Sequence, residues 1–163
     1  MKIRSGAAAA IAVLVLACTG ARAGPAEDAQ AAFSEFFKLF TSRNQAQVAA
    51  LFAPGGQFYG TNSPELVTTP DGVFKYFTAA LDSPVTVQAR PIGLTATALS
   101  DHVVLLAGSW VSERIIDGKL NSTGPLRMTA VMQKRGDQWT VVQFHNSRQP
   151  MPPATTPQVP ASR

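Results

Sequence analysis

Cysteine and histidine are scarce in this chain. Among its 163 residues there is one cysteine, Cys18, and there are two histidines. A single cysteine cannot form a disulfide within the chain, and its place near the N-terminus leaves the later sequence without thiol chemistry. Protein zinc sites use three or four ligands, usually cysteine, histidine or carboxylate. The sequence therefore predicts no metal site, and we expect no cofactor.

The N-terminus has the pattern of an export signal. Lys2 and Arg4 precede an uninterrupted run of small and apolar residues at positions 6–17. This run is shorter than the roughly 20 apolar residues that a membrane-spanning helix needs, and it has the length of a signal-peptide core. We therefore predict a signal peptide over residues 1–23 and a periplasmic or secreted protein.

Two kinds of signal processing stay open. The A-x-A sequence at residues 21–23 predicts cleavage before Gly24. Residues 15–18, Val-Leu-Ala-Cys, resemble instead a lipoprotein box, in which Cys18 would carry a lipid and hold the protein at a membrane. Cleavage at residue 23 leaves eleven basic and ten acidic residues, a net charge of +1. Since no basic cluster has interleaved aromatic residues, we predict no nucleic-acid partner.

Residues 25–150 are predicted to form one domain, followed by a disordered tail at residues 151–163. The tail is rich in proline and poor in large apolar side chains, a composition that cannot form a core. The domain begins with a phenylalanine stripe at the spacing of one helix face: Phe33, Phe36, Phe37 and Phe40. This stripe indicates core packing against a sheet, with an aromatic ligand wall as the alternative.

Two further helices are predicted from their start signals. Asn44, followed by Gln47 three residues later, is typical of a helix N-terminus. We expect this second helix to include Phe52 and to end at the Pro-Gly-Gly that follows. Thr69-Pro70 is typical of the start of a third helix, because proline is favoured at the first helical position.

Strands are predicted over residues 57–59, 85–99, 103–116, 126–134 and 138–146. Asp117-Gly118 and Gly136-Asp137 are turn signals between neighbouring strands. Helices early in the chain and antiparallel strands late in it indicate an α+β domain. We expect a curved antiparallel sheet that packs against the three N-terminal helices and leaves a cavity at its wide end.

Several segments, taken in order, resemble one family. They are residues 57–66 (QFYGTNSPEL), 73–77 (VFKYF), 105–110 (LLAGSW), 127–129 (RMT) and 136–147 (GDQWTVVQFHNS), followed by Pro150. In order and spacing they resemble the association domain of calcium/calmodulin-dependent protein kinase II and its free-standing bacterial relatives. More broadly they are similar to the SnoaL-like, nuclear transport factor 2-like superfamily. The resemblance covers residues 31–150.

The resemblance implies a cone-shaped, cystatin-like α+β barrel with an internal pocket. It also implies self-association through the outer face of the sheet, as a homodimer or a higher oligomer. It implies neither kinase activity nor calmodulin binding, and the chain has no glycine-rich nucleotide loop. The chain departs from the family pattern at Gln143, where relatives often carry a histidine, and at Ala130, where the kinase domain has a pocket arginine.

The end of the last predicted strand supplies the candidate site. Side chains alternate between the two faces of a strand, so Gln143, His145 and Ser147 share one face. We predict that this face lines the pocket and that His145 lies at its floor. The alternative is a structural histidine that only makes a hydrogen bond.

Neighbouring segments supply three further candidates, which are Tyr59, Arg127 and Thr129. Arg127, if directed inward, would hold the carboxylate of a small ligand through a bidentate pair. The alternative is an arginine whose charged end reaches the solvent at the rim.

Three functions are open on the sequence. The leading one is an exported, non-catalytic domain that binds a small polar or carboxylate-bearing molecule. The second is a SnoaL-like isomerase, lyase or cyclase with His145 as general base near neutral pH. The third is an oligomerisation module without a ligand. The ten carboxylates give the enzyme little support. Nine of them fall at predicted turns, loops and helix surfaces, and the tenth, Glu113, lies within a predicted strand and is expected to face water.

Overall fold

A computed structural model describes residues 23–82 and 86–150. Three helices and six strands follow one another in the order α1 (Pro25–Thr41), α2 (Gln45–Ala50), β1 (Phe52–Tyr59), α3 (Pro70–Leu81), β2 (Thr86–Ser100), β3 (Val103–Ile116), β4 (Lys119–Ser122), β5 (Leu126–Arg135) and β6 (Gln138–Arg148). The α+β class predicted from the sequence is confirmed. The predicted tail and all of the predicted signal peptide except Ala23 lie outside the described residues.

The six strands form one mixed sheet in the order β1-β6-β5-β3-β2, and β4 pairs with β3. Strand β1 runs parallel to β6, with Phe58 opposite Phe144, while all the other pairs are antiparallel. The antiparallel pairing predicted for the later strands is confirmed, and the parallel pairing of β1 with β6 was not predicted. The sheet is not closed, because no ladder in the described part of the chain joins β1 to β2.

Strand β1 begins earlier than predicted. Phe52 lies in this strand opposite Val141, and not in the second helix. The backbone N–H of Val141 donates to the carbonyl of Leu51 at 2.8 Å, so pairing with β6 begins directly after α2. The register shifts between Phe52 and Gln57, and Gly55 has a φ of 77° there. This pairing depends on a distant strand, so local sequence could not indicate it.

The helix starts agree with the sequence analysis. The side chain of Asn44 accepts a hydrogen bond from the N–H of Gln47 at 3.1 Å, and Thr69 Oγ1 accepts one from the N–H of Gly72 at 3.1 Å. Each bond satisfies an N–H group that has no partner within its helix. Both predicted N-caps are confirmed.

The core lies between the helices and the inner face of the sheet. The four phenylalanines of α1 are all buried. The ring of Phe36 lies 5.8 Å from that of Phe144 on β6 and 5.7 Å from that of Trp110 on β3. Aromatic pairs at these distances add to the stabilisation that burial of their area provides. The predicted packing of the phenylalanine stripe against a sheet is confirmed.

Register shifts at four places shape the described sheet, one in β1, two in β2 and one in β6. On β2 the register shifts between Pro91 and Gly93, and there a side chain at Gly108 of β3 would overlap the Gly93 carbonyl, so the two strands approach closely. On β6, Val141 and Gln143 lie opposite consecutive residues of β5, which leaves Val142 without a partner. A bulge of this kind changes which side chains face inward beyond it.

Candidate functional site

A partly open cavity of about 80 Å³ lies between the helices and the inner face of the sheet. Sites for drug-sized ligands are roughly 300–1,000 Å³, so this volume suits a molecule of only a few heavy atoms. One side of the cavity is an aromatic wall that includes Phe36, Phe40, Phe77 and Trp110. The opposite side is polar, with side chains that come from β3, β6 and the loops beside them.

Strand β3 contributes two polar side chains to the cavity. Ser112 and Arg114 follow Trp110 on the inward face of the strand, and Ser112 is only 4% exposed. Ser112 Oγ and Arg114 Nε are both buried, and neither has a hydrogen-bond partner among the described residues. Leaving such groups unpaired costs about 1–3 kcal/mol each. A ligand that pairs with them would recover that free energy.

The guanidinium of Arg114 is only partly satisfied. Its Nη2 donates to the carbonyl of Ala80 at 3.3 Å, near the C-terminal end of α3, where the helix dipole favours a cation. Glu113 directly precedes Arg114, but its Oε1 lies 3.5 Å from Nη2 of Arg90 on the other face of the sheet. Within residues 23–82 and 86–150, no carboxylate forms an ion pair with Arg114. The cavity is therefore positively charged on its polar side.

Asn146 is held in place by the protein itself. Its Oδ1 accepts a hydrogen bond from Trp110 Nε1 at 3.0 Å, and its Nδ2 donates to Thr61 Oγ1 at 2.6 Å. Both bonds lie at the cavity wall, and Asn146 is buried. This network fixes the indole of Trp110 and the loop after β1 relative to each other, so it shapes the cavity.

Tyr76 is a further polar group of the cavity wall. Burial raises the pKa of its hydroxyl above the ordinary value of 10.0, and hydrogen bonds with Thr61 and Asn62 oppose that rise in part. The phenol therefore stays protonated at neutral pH. A side chain at Gly60 would overlap the ring of Tyr76, so the ring packs directly on the backbone there.

The residues predicted to line the pocket lie elsewhere. The structure does bring Tyr59, Arg127, Thr129, His145 and Ser147 together, with Thr129 and Tyr59 opposite His145 and Arg127 opposite Ser147. Gln143 lies on the same face, two residues before His145. However, this is the outer face of the sheet, and the predicted placement in the cavity is wrong.

These outward-facing residues form a cluster at the protein surface. His145, Arg127 and Thr129 are exposed. Arg127 Nε donates to Ser147 Oγ at 3.0 Å, and the rings of Tyr59 and His145 are 6.1 Å apart. The shallow depression beside them does not connect with the aromatic wall. The physical reason is the bulge at Val142, which directs Phe144 and Asn146 inward and their neighbours outward.

Sequence reasoning missed the residues that do form the polar side of the cavity. For Ser112 and Arg114 a signal existed, because they continue the alternation of Leu106 and Trp110 along one strand. For Asn146 the bulge concealed the signal. Thr61 and Tyr76 meet only because a loop and a helix come together in the fold.

The cavity offers hydrogen-bond donors and positive charge. No aspartate, glutamate or histidine side chain of the described residues lines it. The part of the chain that the structure describes contains no group of three or more side chains that could hold a metal ion. The cavity lining is suited to holding an anion.

None of the described helices is long and apolar enough to cross a membrane.

Comparison with solved structures supports the fold. A protein from Xanthomonas campestris that is named for the calcium/calmodulin dependent protein kinase II association domain is 25% identical, covers 79% of this chain and 94% of its own, and has a TM-score of 0.68. A nuclear transport factor 2-like protein with a cystatin-like fold from Novosphingobium aromaticivorans is 12% identical, with coverages of 75% and 80% and a TM-score of 0.64. A protein with a cystatin-like fold from Caulobacter vibrioides is 19% identical, with coverages of 76% and 89% and a TM-score of 0.63.

No curated protein matches the chain. The family model of the SnoaL-like domain matches residues 29–152, which includes every helix and strand except the first turn of α1. The resemblance noted in the sequence is thereby confirmed. This chain belongs to the SnoaL-like domain family.

Proposed function

We propose that this protein is an exported, non-catalytic binding domain whose interior cavity holds a small carboxylate-bearing molecule. One observation carries the proposal: Ser112 Oγ and Arg114 Nε are buried at the cavity without hydrogen-bond partners. A buried cation without a carboxylate partner is costly, and a bound anion removes that cost. The leading function drawn from the sequence is thus kept, with Arg114 in the role that was expected of Arg127.

The geometry limits the ligand. A carboxylate next to β3 would accept hydrogen bonds from Arg114 Nε and Ser112 Oγ, and Arg148 at the cavity edge adds a second positive charge. The aromatic wall favours an apolar remainder. The volume of about 80 Å³ restricts that remainder to a few carbon atoms. Short-chain carboxylic acids fit these conditions.

Thermal unfolding with matched ligands tests the proposal. We expect sodium acetate, propionate and butyrate to raise the Tm relative to equal sodium chloride, while the corresponding amides do not. A ligand at a hundred times its Kd stabilises by about 2.7 kcal/mol. The variant Arg114→Gln should lose the response, and the control Arg127→Gln, an arginine of the same sheet on the outer face, should keep it.

Two results would overturn the proposal. One is the absence of stabilisation by all of the carboxylates tested. The other is an equal response in Arg114→Gln and the unchanged protein, because the ligand would then lie outside the cavity.

We infer further that the protein self-associates through the outer face of its sheet. The Xanthomonas neighbour is named for an association domain, and the outer face of this chain leaves Leu105 37% exposed near the start of β3. Leu105→Lys should lower the mass measured by light scattering, whereas Glu65→Lys, in the loop before α3, should not. An unchanged mass in Leu105→Lys would exclude this face.

The catalytic alternative, a SnoaL-like isomerase, lyase or cyclase, relied on His145 inside the cavity. His145 lies on the outer face instead, and the cavity wall offers a protonated Tyr76 and arginines. No observation favours this second function.

The export proposal rests on the sequence. Mass spectrometry of the mature protein tests it: an N-terminus at Gly24 supports simple cleavage, and a lipid on Cys18 supports a membrane-held form.

A further inference from the structure

We propose that the free edge of β2 is a contact between two copies of this chain, in which each copy adds its β2 antiparallel to the other about a two-fold axis at Ala96. The two sheets would then form one continuous sheet. This contact uses the edge of the sheet, and it is independent of both the cavity and the outer face.

Strand β2 is one of the two ends of the sheet, and it pairs with β3 alone in the described part of the chain. It is 15 residues long. Natural edge strands avoid pairing by charged residues, proline, bulges or short length. Between its two register shifts, at Ile92 and Leu99, the strand runs regularly through residues 93–98, GLTATA, which have no charge and no proline. This stretch is therefore a sheet edge with little protection against pairing.

The hydrogen bonds of β3 show which groups of β2 point to the free edge. The carbonyls of His102 and Ser112 accept from the N–H groups of Lys134 and Thr123, so even-numbered residues of β3 bond away from β2. Odd-numbered residues therefore bond toward β2, where they face Gly93, Thr95 and Thr97. Bonding direction alternates along an antiparallel strand.

The residues between them, Leu94, Ala96 and Ala98, consequently direct their N–H and C=O groups to the free edge. An independent contact supports this alternation before the bulge, since the N–H of Ala89 donates to Thr41 Oγ1 of α1 at 2.9 Å. On that side of β2, no strand of the described chain pairs with Leu94, Ala96 or Ala98.

These three residues are complementary to a second copy of themselves. With the two-fold axis at Ala96, Ala96 faces Ala96, and Leu94 of each copy faces Ala98 of the other. Each facing pair exchanges two N–H···O bonds. A two-fold axis also brings each side chain near its own copy, so a charged edge would repel itself. The absence of charge at residues 92–100 removes that repulsion.

The surroundings of this edge also suit a second copy. Ile92 and Leu99 are 54% and 61% exposed, and the proposed register places them near the ends of the contact, with Ile92 opposite Ser100 and Leu99 opposite Gly93. Next to Ala96, a groove of about 260 Å³ separates the edge from α1, whose side chains there are Ala26, Glu27, Gln30, Ala31 and Ser34. The tail of the chain is a poor alternative occupant, because residues 151–163 contain four prolines, which lack the N–H that pairing needs.

Sedimentation velocity over a range of concentrations tests the contact with Ala96→Pro. Proline removes the central N–H of each copy, and it is tolerated on an edge where the N–H has no partner in the sheet. We expect the dissociation constant of this contact to rise roughly tenfold or more. The matched control Ala96→Gly keeps the N–H and should associate like the unchanged protein. Circular dichroism and the Tm establish that each variant is folded.

A charge pair tests the register without proline. Thr95 of one copy faces Thr97 of the other when the axis lies at Ala96, and both side chains are exposed. The double change Thr95→Lys with Thr97→Lys should weaken association, because like charges then face each other. Thr95→Lys with Thr97→Glu should restore it, because each lysine then faces a glutamate.

Loss of association in the first pair and recovery in the second would support the edge contact and its register. The proposal is wrong if the unchanged protein is a monomer at all concentrations. It is also wrong if Ala96→Pro leaves the mass unchanged, or if the double change Thr95→Lys with Thr97→Lys does so. Should the mass fall only in Leu105→Lys, the outer face alone makes the contact.

Discussion

The two faces of strand β6 carry similar polar residues in different physical situations. Asn146 faces inward, where it is buried and bonded to Trp110 and Thr61. Its neighbours His145 and Ser147 face outward, where His145 is exposed and Ser147 bonds to an arginine at the surface. On the outer face water satisfies whatever the protein leaves unpaired. On the inner face only the protein or a ligand can do so.

This difference shows which polar residues indicate a ligand. A buried polar group is expected to have a partner. Asn146 has protein partners, so it shapes the cavity, whereas Ser112 Oγ and Arg114 Nε have none among the described residues, so they point to a missing partner. A polar cluster on the outer face, however regular its spacing, carries no such implication.

The largest expected difference between the faces is in packing. Phe144→Ala should lower the free energy of unfolding by about 3–5 kcal/mol, because Phe144 is buried among aromatic rings of α1 and β1. His145→Ala, one residue further on, should change it by no more than about 0.5 kcal/mol. Urea unfolding of both variants measures this. Equal losses of unfolding free energy in the two variants would contradict the placement of His145 on the exposed face.

A smaller difference is expected for the polar residues that follow. Asn146→Ala should cost about 1–3 kcal/mol, since it leaves Trp110 Nε1 without its acceptor and removes the hydrogen bond to Thr61 Oγ1. Ser147→Ala should cost no more than about 0.5 kcal/mol, because Arg127 can bond to water instead. The same unfolding experiment compares them, and a loss in Ser147→Ala as large as in Asn146→Ala would contradict the assignment.

The smallest effect is expected from the two tyrosines, of which Tyr76 on α3 lines the cavity and Tyr59 on β1 lies on the outer face. Burial raises the pKa of Tyr76 above 10.0, so on raising the pH the unfolded chain loses this proton before the folded protein does. The stability due to Tyr76 is therefore present below pH 10.0 and is lost as the pH rises through the folded-state pKa. Tyr76→Phe should remove this part of the pH dependence.

Absorbance titration checks the same point directly. In Tyr59→Phe, Tyr76 is the only tyrosine of the chain, and its phenolate band should develop with a midpoint above 10.0. A midpoint at or below that value would show that the Tyr76 hydroxyl is not buried at the cavity.

Much of the fold could be predicted because its signals are local. The caps at Asn44 and Thr69, the phenylalanine stripe of α1 and the Gly136-Asp137 turn depend on residues within a few positions of one another. The start of β1 was missed, since it depends on pairing with β6, which lies far along the chain. The short strand β4 was missed although the predicted Asp117-Gly118 turn joins it directly to β3.

The candidate site was predicted on the wrong face for a related reason. Trp139 and Val141 pack toward the core, and continuing their alternation places His145 inside. The extra residue, Val142, breaks the alternation, and its presence shows only in the pairing of β6 with β5. The same bulge directs Asn146 to the cavity.

The sequence by itself determined the α+β class, the helix starts, the apolar faces and the sharing of one face by Gln143, His145 and Ser147. These follow from backbone periodicity and capping, which are properties of short segments. Only the tertiary structure decided which face is enclosed, and that Ser112 and Arg114 meet Asn146 and Tyr76 around a cavity. Strand pairing sets the position of a bulge, and a shift of one residue exchanges the inside and the outside of a strand.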